Sequence, residues 1–473
     1  MGSRALIHVD DNETGAAPLA TGRDRATFTF VVLFAMNLLD YVDRFVLSAI
    51  LPQISAELNL NGVRGGLLTT YFLVSYSLIS PLVGYFGDRM RRTHLLALGV
   101  GIWSLATVAS GLAGTYGQLA IARAVLGIGE ATYGVIAPTI LMDLYRRESR
   151  ARVMSAFYLA MPLGGALGMT LGGWIAVHYS WHVAFFVVGA PGLLAALAAL
   201  LIREPVRGAS EGIAAERLQA HEKAGATRDD YLDLMVNSSY TYAVLGMAFY
   251  TFAIGGLASW LVTFLTASKQ IEHVRASSLI GLTTLFAAII GMTSGGWLAD
   301  RLAQRNPRAL FLVPGVALLL AVPPLVVALL AKSEPLIFGG IFLAEALMFI
   351  NTGPCNAVIA NVVMPNMRSA AYATAIFAVH MLGDIWSPVL MGWVADTFGQ
   401  VDTMATTFGR ALAAIGAVPD PVGGRNWTAG MLVVVPAVFI AGVVLLAGAR
   451  HLPREMALMR AKYQAAPTSE PAA

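Results

Sequence analysis

Twelve stretches of roughly twenty apolar residues recur along this chain of 473, and ~20 is the number a helix needs to cross ~30 Å of hydrocarbon. They fall near 28–51, 65–86, 94–114, 117–145, 153–177 and 182–202, then near 240–268, 277–299, 309–331, 336–364, 369–395 and 429–449. Inside lipid the backbone amides find no water, so uninterrupted runs of this length read as helices and not as barrel strands. Charged residues are only 12% of the sequence, about half the ~25% of a soluble globular protein. The expected fold class is an all-α integral membrane protein with twelve transmembrane helices.

Repeated phrases divide those helices into two pseudo-symmetric six-helix halves. Gly84-Tyr-Phe-Gly-Asp88-Arg89-Met-Arg91-Arg92 returns as Gly296-Trp-Leu-Ala-Asp300-Arg301-Leu-Ala-Gln-Arg305, 212 residues later. Leu163-Gly164 with Gly173-Trp174-Ile-Ala176 returns as Leu382-Gly383 with Gly392-Trp393-Val-Ala395, at an offset of 219. The expected organisation is a tail over 1–27, a first half over 28–202, a linker over 203–239, a second half over 240–449 and a tail over 450–473. Transporters commonly place a substrate site between such repeats.

Placing both termini in the cytoplasm puts 23 of the 31 Lys and Arg residues on the inner side, as the positive-inside rule requires. The basic balance thus has a topological origin, and no nucleic-acid partner is expected. The first 27 residues contain Asp10, Asp11, Glu13 and Asp24 in place of the apolar core of a cleavable signal, so the first span is expected to direct membrane insertion. Cys355 lies inside a span and reads as packing. The linker reads as partly helical, with short amphipathic pieces around Ile213, Arg217 and Asp229 to Met235 lying on the membrane surface. On the opposite side, Thr403 to Ala414 reads as a short helix stopped by Pro419 and Pro421, and the chain beyond about 465 is expected to be disordered.

Signatures of enzymes do not hold up. Gly208-Ala-Ser210-Glu-Gly212 has the spacing of a hydrolase nucleophile elbow but neither the strand nor the helix that motif requires. No Lys follows a Gly, which excludes a Walker A loop, and there is no His-Glu-x-x-His or other metal-ligand cluster. Neither enzymatic activity nor a cofactor or metal is expected.

Ionisable groups inside spans are the most informative residues, because in mid-membrane they cost several kcal/mol unless they face water or a partner. The first span reads Asn37-Leu-Leu-Asp40-Tyr41-Val-Asp43-Arg44; at 100° per residue Asn37, Asp40, Tyr41 and Arg44 share a face, with Asp43 on its flank. Asp40 and Arg44 also have the spacing of a purely structural ion pair. In the fourth span Arg123 and Glu130 lie on one face, seven residues or ~10 Å apart, separated by Gly127 and Gly129. An acid from the first span can fill that gap, making a mixed-charge cluster in which movement of an Arg loads or releases a proton. His380 and Asp384, at i and i+4 in the eleventh span, are either a packed hydrogen-bonded pair or a second protonatable, substrate-binding site. Glu345 and Asn351 in the tenth span are weaker candidates. Gly164, Gly168 and Gly172 make a smooth stripe for close helix contact.

The Gly84 to Arg92 and Gly296 to Arg305 phrases resemble the loop signature of the major facilitator superfamily, although Phe86, Gly87, Arg91 and Thr93 depart from its pattern. That resemblance implies a cytoplasmic gate built from Gly84, Asp88, Arg89, Arg92, Gly296, Asp300 and Arg301. Arg123-Ala-Val-Leu-Gly127-Ile-Gly129 resembles the superfamily's fourth-span motif, whose Arg is associated with proton coupling. More narrowly, Asn37 to Arg44, Arg123 to Pro138 and His380-Met-Leu-Gly-Asp384-Ile-Trp-Ser-Pro388 look like the Spinster branch, linked to lysophospholipid and sphingolipid transport.

The expectation is a monomeric, proton-coupled secondary active transporter of the cell membrane, working by alternating access on amphipathic or lipid-like solutes such as lysolipids. Its partners are that small substrate, protons and the bilayer. Proton coupling is expected at Asp43, Arg123, Glu130 and Asp40, with Glu130 or Asp43 loosening its hold on Arg123 when protonated. Substrate binding is expected at Arg44, Arg123, Glu130, Asn37, Tyr41, His380 and Asp384. The alternative is proton-coupled symport of organic anions or sugar acids, since a related branch also uses a first-span Asp-Arg.

Overall fold

A computed structural model of the protein describes residues 23–145, 153–154, 156–205, 234, 236–363, 368–421 and 423–465. The first half comprises α1 (Arg23–Glu57), α2 (Gly62–Arg89), α3 (Arg92–Gly111), α4 (Tyr116–Leu144), α5 (Ala160–His178) and α6 (Trp181–Leu200). The second comprises α7 (Ser238–Ala267), α8 (His273–Ala303), α9 (Ala309–Leu330), α10 (Glu334–Phe349), α11 (Thr352–Asn361), α12 (Arg368–Leu382) and α13 (Ser387–Thr397). It continues through α14 (Val401–Met404), α15 (Thr407–Ala414), α16 (Trp427–Leu432), α17 (Val434–Gly448) and α18 (Leu452–Ala465). Eleven helical segments among the described residues are long and apolar enough to cross a membrane. α1, 35 residues long, adds a further body of ~50 Å at 1.5 Å per residue. No strand occurs among the described residues.

Helix starts follow local chemistry. Thr115, Ser180 and Asn237 accept hydrogen bonds from the free amides of Gln118, Val183 and Tyr240 at the starts of α4, α6 and α7. Before α8, Glu272 accepts from Val274 and Arg275, and these two amides hold its carboxylate below the usual range. The start of α7 is capped a second time from far along the chain: Glu455 of α18 accepts from Ser238 and Ser239 at 3.0 and 2.8 Å.

The tenth and eleventh spans are each broken in two, where the sequence reads as continuous apolar runs. The tenth parts at Ile350 and Asn351, just before Gly353-Pro354, and the eleventh parts over Gly383 to Trp386, just before Pro388. A proline ring crowds the carbonyl four residues back and supplies no amide, which weakens the helix at both places. The expected helix over 403–414 is likewise divided, into α14 and α15, with Thr406 capping the second piece. The surface pieces expected around Ile213, Arg217 and Asp229 to Met235, and the tail beyond 465, lie outside the described residues, apart from buried Leu234.

Within the halves, α1 packs on α5, α3 on α4 and α6, α7 on α17, and α8 and α9 on α10. The glycine stripe of α5 is what admits α1: a Cβ on Gly164 or Gly168 would lie 2.7 Å from the Leu38 carbonyl or 2.5 Å from the Val42 carbonyl. Two long seams join the halves, α5 against α8 and α2 against α13. They are equivalent under exchange of the two halves.

The second seam is tight at the end of the bundle away from the chain termini. A Cβ on Gly62 would lie 2.4 Å from the Gly392 carbonyl, and Thr70 donates to the Ile385 carbonyl at 2.6 Å. Arg425, in the loop before α16, completes it by pairing with Asp396 at 2.9 Å and donating to the Leu60 carbonyl. Asp396 in turn accepts from the Val63 amide at 3.3 Å. Among the described residues, these hydrogen bonds between halves run from mid-bundle to that end.

Candidate functional site

Five ionisable side chains of α1 and α4 meet inside the first half, in two linked groups. In the first, Arg44 donates to Glu130 through Nη2 at 2.7 Å and Nε at 3.2 Å, and to Asp40 through Nη2 at 3.4 Å. Three rings enclose its guanidinium, Tyr41 and Phe72 at 5.1 Å and Tyr76 at 5.5 Å. In the second, Arg123 lies 3.6 Å from Asp43, donates to Ser110 at 3.2 Å and stacks over Phe185 at 4.9 Å. The Thr107 hydroxyl donates to the other oxygen of Asp43. Asp40, Asp43, Arg123 and Glu130 are all buried, whereas the Arg44 side chain keeps 29% of its surface exposed.

This arrangement corrects one expectation. Glu130 holds Arg44, not Arg123, and Asp43 alone pairs with Arg123. The ~10 Å between Arg123 and Glu130 along α4 is occupied by two successive residues of α1 pointing to different partners: Asp43 turns toward α3 and α4, and Arg44 turns back up to Glu130. Asn37 also stands apart. Its amide donates to the Phe157 carbonyl at 2.9 Å, so it fixes α1 to the start of the fifth span and takes no part in the charge cluster.

Sequence reasoning missed Thr107 and Ser110 on α3, Phe72 and Tyr76 on α2, and Phe185 on α6. Each is an ordinary residue for a span; only the fold brings it to the charges. Tyr76 also reaches the other half, where its ring meets His380 edge-on at 6.4 Å. His380 Nδ1 lies 2.9 and 3.0 Å from the two oxygens of Asp384, an intact i, i+4 pair just where α12 ends.

A cavity of about 70 Å³ lies between α1 and α5 on one side and α7, α8 and α10 on the other. Phe45, Met161, Leu257, Leu261 and Ile280 make most of its wall apolar, and Glu345 with Thr284 supplies the polar spot. Thr284 donates to Glu345 at 2.8 Å. Asn351 is buried beside the helix break, where it accepts from the Cys355 thiol at 2.7 Å; the cysteine is packed inside the bundle, as its position in a span implies.

The gate residues are distributed differently from the charge cluster. Arg92 is buried and binds Asp143 at 2.6 Å, Glu204 at 3.2 Å and the Pro205 carbonyl at 3.2 Å, which fastens α3, α4 and the end of the sixth span to one another inside one half. Asp88 and Arg89 end α2, and their side chains lie outside the described set. Asp300 and Arg301 are exposed, with Arg301 over the Trp297 ring at 5.4 Å. Gly84 and Gly296 have open space where a Cβ would be.

Comparison with known proteins places this geometry. Residues 33–388 match the Major Facilitator Superfamily. The chain is 33% identical over 389 residues to Protein spinster homolog 1 of Xenopus laevis, covering 79% of this chain and 73% of that protein. It is 34% identical over 403 residues to Protein spinster homolog 1 of Homo sapiens, covering 81% and 74%. In overall shape it superposes with a TM-score of 0.81 on a crystal structure of a bacterial homolog of the human lysosomal transporter Spinster, captured inward-facing and unoccupied, at 24% identity over 92% of this chain and 99% of that one.

Proposed function

Because this chain belongs to the Spinster branch of the major facilitator superfamily, a family of membrane transporters and not of enzymes, we propose that it is a proton-coupled secondary active carrier of amphipathic or lipid-like solutes such as lysolipids. The observation that carries this reading is the burial of Asp40, Asp43 and Glu130 with Arg44 and Arg123 inside the helices of one half. A permanent structural network has little reason to bury more carboxylates than cations, since each uncompensated charge is expensive in a dry interior. A proton-carrying site needs that excess. When Glu130 takes a proton its grip on Arg44 weakens; when Asp43 takes one, its grip on Arg123 weakens.

Other features support the lipid-like substrate and the alternating cycle. The wall of the cavity between the halves, built of Phe45, Leu257 and Ile280, has the apolar surface an alkyl chain needs. Contacts between the halves concentrate at the end bearing Leu60 and Arg425, which the distribution of Lys and Arg assigns to the outside. On this reading both termini are cytoplasmic, the protein works as a monomer in the cell membrane, and the chain rests with its outer end shut. His380 and Asp384 face the same central region from the second half and contribute to substrate binding.

Replacing Glu130 by Gln in proteoliposomes tests the coupling. Uptake of a labelled lysolipid should lose its response to an imposed pH gradient, while exchange at equal pH persists. An unaltered pH response in Glu130→Gln rejects proton coupling at this site.

A further inference from the structure

The outer connection between the eleventh and twelfth spans has no equivalent in the first half. The repeat that aligns Gly173-Trp174 with Gly392-Trp393 sets Tyr179-Ser180, between α5 and α6, against Phe398 to Asn426, which hold α14 and α15. A connection standing in water is expected to be polar. From Val401 to Pro419, however, the charged residues are Asp402 and Arg410 alone.

α15 divides its surface three ways. Leu412 is buried with Ala417 and Ala429 against Val394, Phe398 and Leu432, which fixes one flank of the helix to the bundle. At 100° per residue Phe408, Ala411 and Ile415 share the adjoining face, and they are exposed, Phe408 at 62% and Ile415 at 49%. Val401 and Val418 extend this exposed apolar surface at either end. Arg410, Ala413 and Ala414 turn the other way and are exposed as well. A helix that is apolar on one side and carries its cation on the other lies in the plane of a membrane interface, its apolar face ~5–10 Å into the boundary between head groups and tails.

The spans on either side fix the level. Trp174 and Trp393 hold matching places in the two repeats and both are exposed, as tryptophans are where hydrocarbon gives way to head groups. Trp386, Leu390 and Trp393 make an exposed stripe at i, i+4 and i+7 along the eleventh span, which is its lipid-facing side. Phe398 lies little more than one turn beyond Trp393, and its ring meets that of Phe408 at 5.4 Å. The exposed face of α15 therefore begins where the lipid-facing surface of α13 ends. A second copy of the chain is a poor occupant for it, because a helix of eight residues, ~12 Å long, falls far short of the ~800 Å² per partner of a stable interface.

We propose that α14 and α15 form an interfacial anchor, seated in the outer leaflet by Val401, Phe408, Ile415 and Val418. The anchor is fastened to the closure at that end of the bundle. Asn426 donates from its side chain to the Ala417 carbonyl and from its amide to the Ala395 carbonyl, both at 2.9 Å. Asp420 accepts from the Trp427 amide at 3.0 Å and from the Ser268 hydroxyl. Arg425 stands between these two ties, so the depth of the anchor in the leaflet sets the level at which Arg425 meets Asp396 and Leu60. The contact is with the lipid surface and is independent of what the protein carries.

The test uses the full chain, in a Cys355→Ala background, in nanodiscs of phosphatidylethanolamine and phosphatidylglycerol. Nitroxide labels are attached one at a time at Phe408→Cys, Ile415→Cys, Arg410→Cys and Ala413→Cys, all exposed positions where a label leaves the packing alone. Power saturation compares collision with oxygen, which concentrates in hydrocarbon, against collision with a water-soluble nickel chelate. The ratio of oxygen to nickel should be several-fold higher at positions 408 and 415 than at 410 and 413. Adding Ile415→Asp to the protein labelled at 408 should lower the ratio there toward that at 413. Water-like ratios at all four positions overturn the proposal, as does a ratio at 408 that Ile415→Asp leaves unchanged. Spin–spin broadening at 408 and 415, the mark of a second copy covering that face, overturns it too.

Discussion

Thr107 shows how a single hydroxyl can govern a buried charge. It donates to Asp43 on the side away from Arg123, so Thr107→Val, which preserves shape and removes the donor, leaves a carboxylate short of a partner at a cost of about 1 to 3 kcal/mol. Thermal unfolding in detergent should show that loss, and Thr107→Ser should recover most of it; equal stability of the Val and Ser forms would mean that the hydroxyl contributes nothing. No feature of the sequence marks Thr107, because a threonine in a span most often bonds its own helix, and here the Trp103 carbonyl, 3.1 Å away, competes with Asp43 for the hydroxyl's one proton. The Asp40 and Arg44 pair, by contrast, is legible from a four-residue spacing that any helix imposes. The partner of Arg123 is not, since Asp40 and Asp43 of the first span are both candidates and only the azimuth of α1 decides between them. For the same reason Asn37 reads as part of the polar face although its amide is committed to Phe157.

At the level of helices, length and polarity are enough to locate the spans, because hydrocarbon thickness leaves few alternatives. The breaks in the tenth and eleventh spans are harder to read: prolines inside α2, α4 and α9 leave those helices continuous, so Pro354 and Pro388 do not reveal from composition alone that the chain turns there. Close approach of α1 and α5 is likewise visible as a glycine stripe, but which helix enters it is a property of the fold. Gly168→Ala should push these helices apart, since the new methyl would lie 2.5 Å from the Val42 carbonyl. Overpacking of this kind costs about 1 to 3 kcal/mol. Gly296→Ala, with nothing within 4 Å, should leave thermal stability unchanged or slightly improved. A Gly168→Ala protein as stable as the parent would contradict the packing of α5 on α1.

Across the whole molecule, Arg425 joins the two halves through Asp396 and the Leu60 carbonyl. Both charged side chains keep about a quarter of their surface exposed, at 28% and 22%, so screening reduces the ion pair and the carbonyl bond matters at least as much. Arg425→Ala should favour separation at that end by about 1 kcal/mol, roughly a fivefold change in population. Spin labels at Ala56→Cys and Phe408→Cys, in a Cys355→Ala background, should report it as growth of the longer-distance component. An identical distance distribution would remove Arg425 from any role in holding that end shut. The sequence shows two halves through its repeats, yet it does not show which end holds them together, because Arg425 sits in a long connecting stretch with no counterpart in the first half.

The two repeated phrases pose a separate question of shape. Gly84 and Gly296 occupy matching places in them, and at both a methyl group would meet only empty space. A residue type that present packing does not require, written twice at the same register, is what a second arrangement of the halves would call for. If the ends of the halves that bear the chain termini come together during transport, these are the places where one helix would graze another, and the missing side chains would be the clearance that such an arrangement needs.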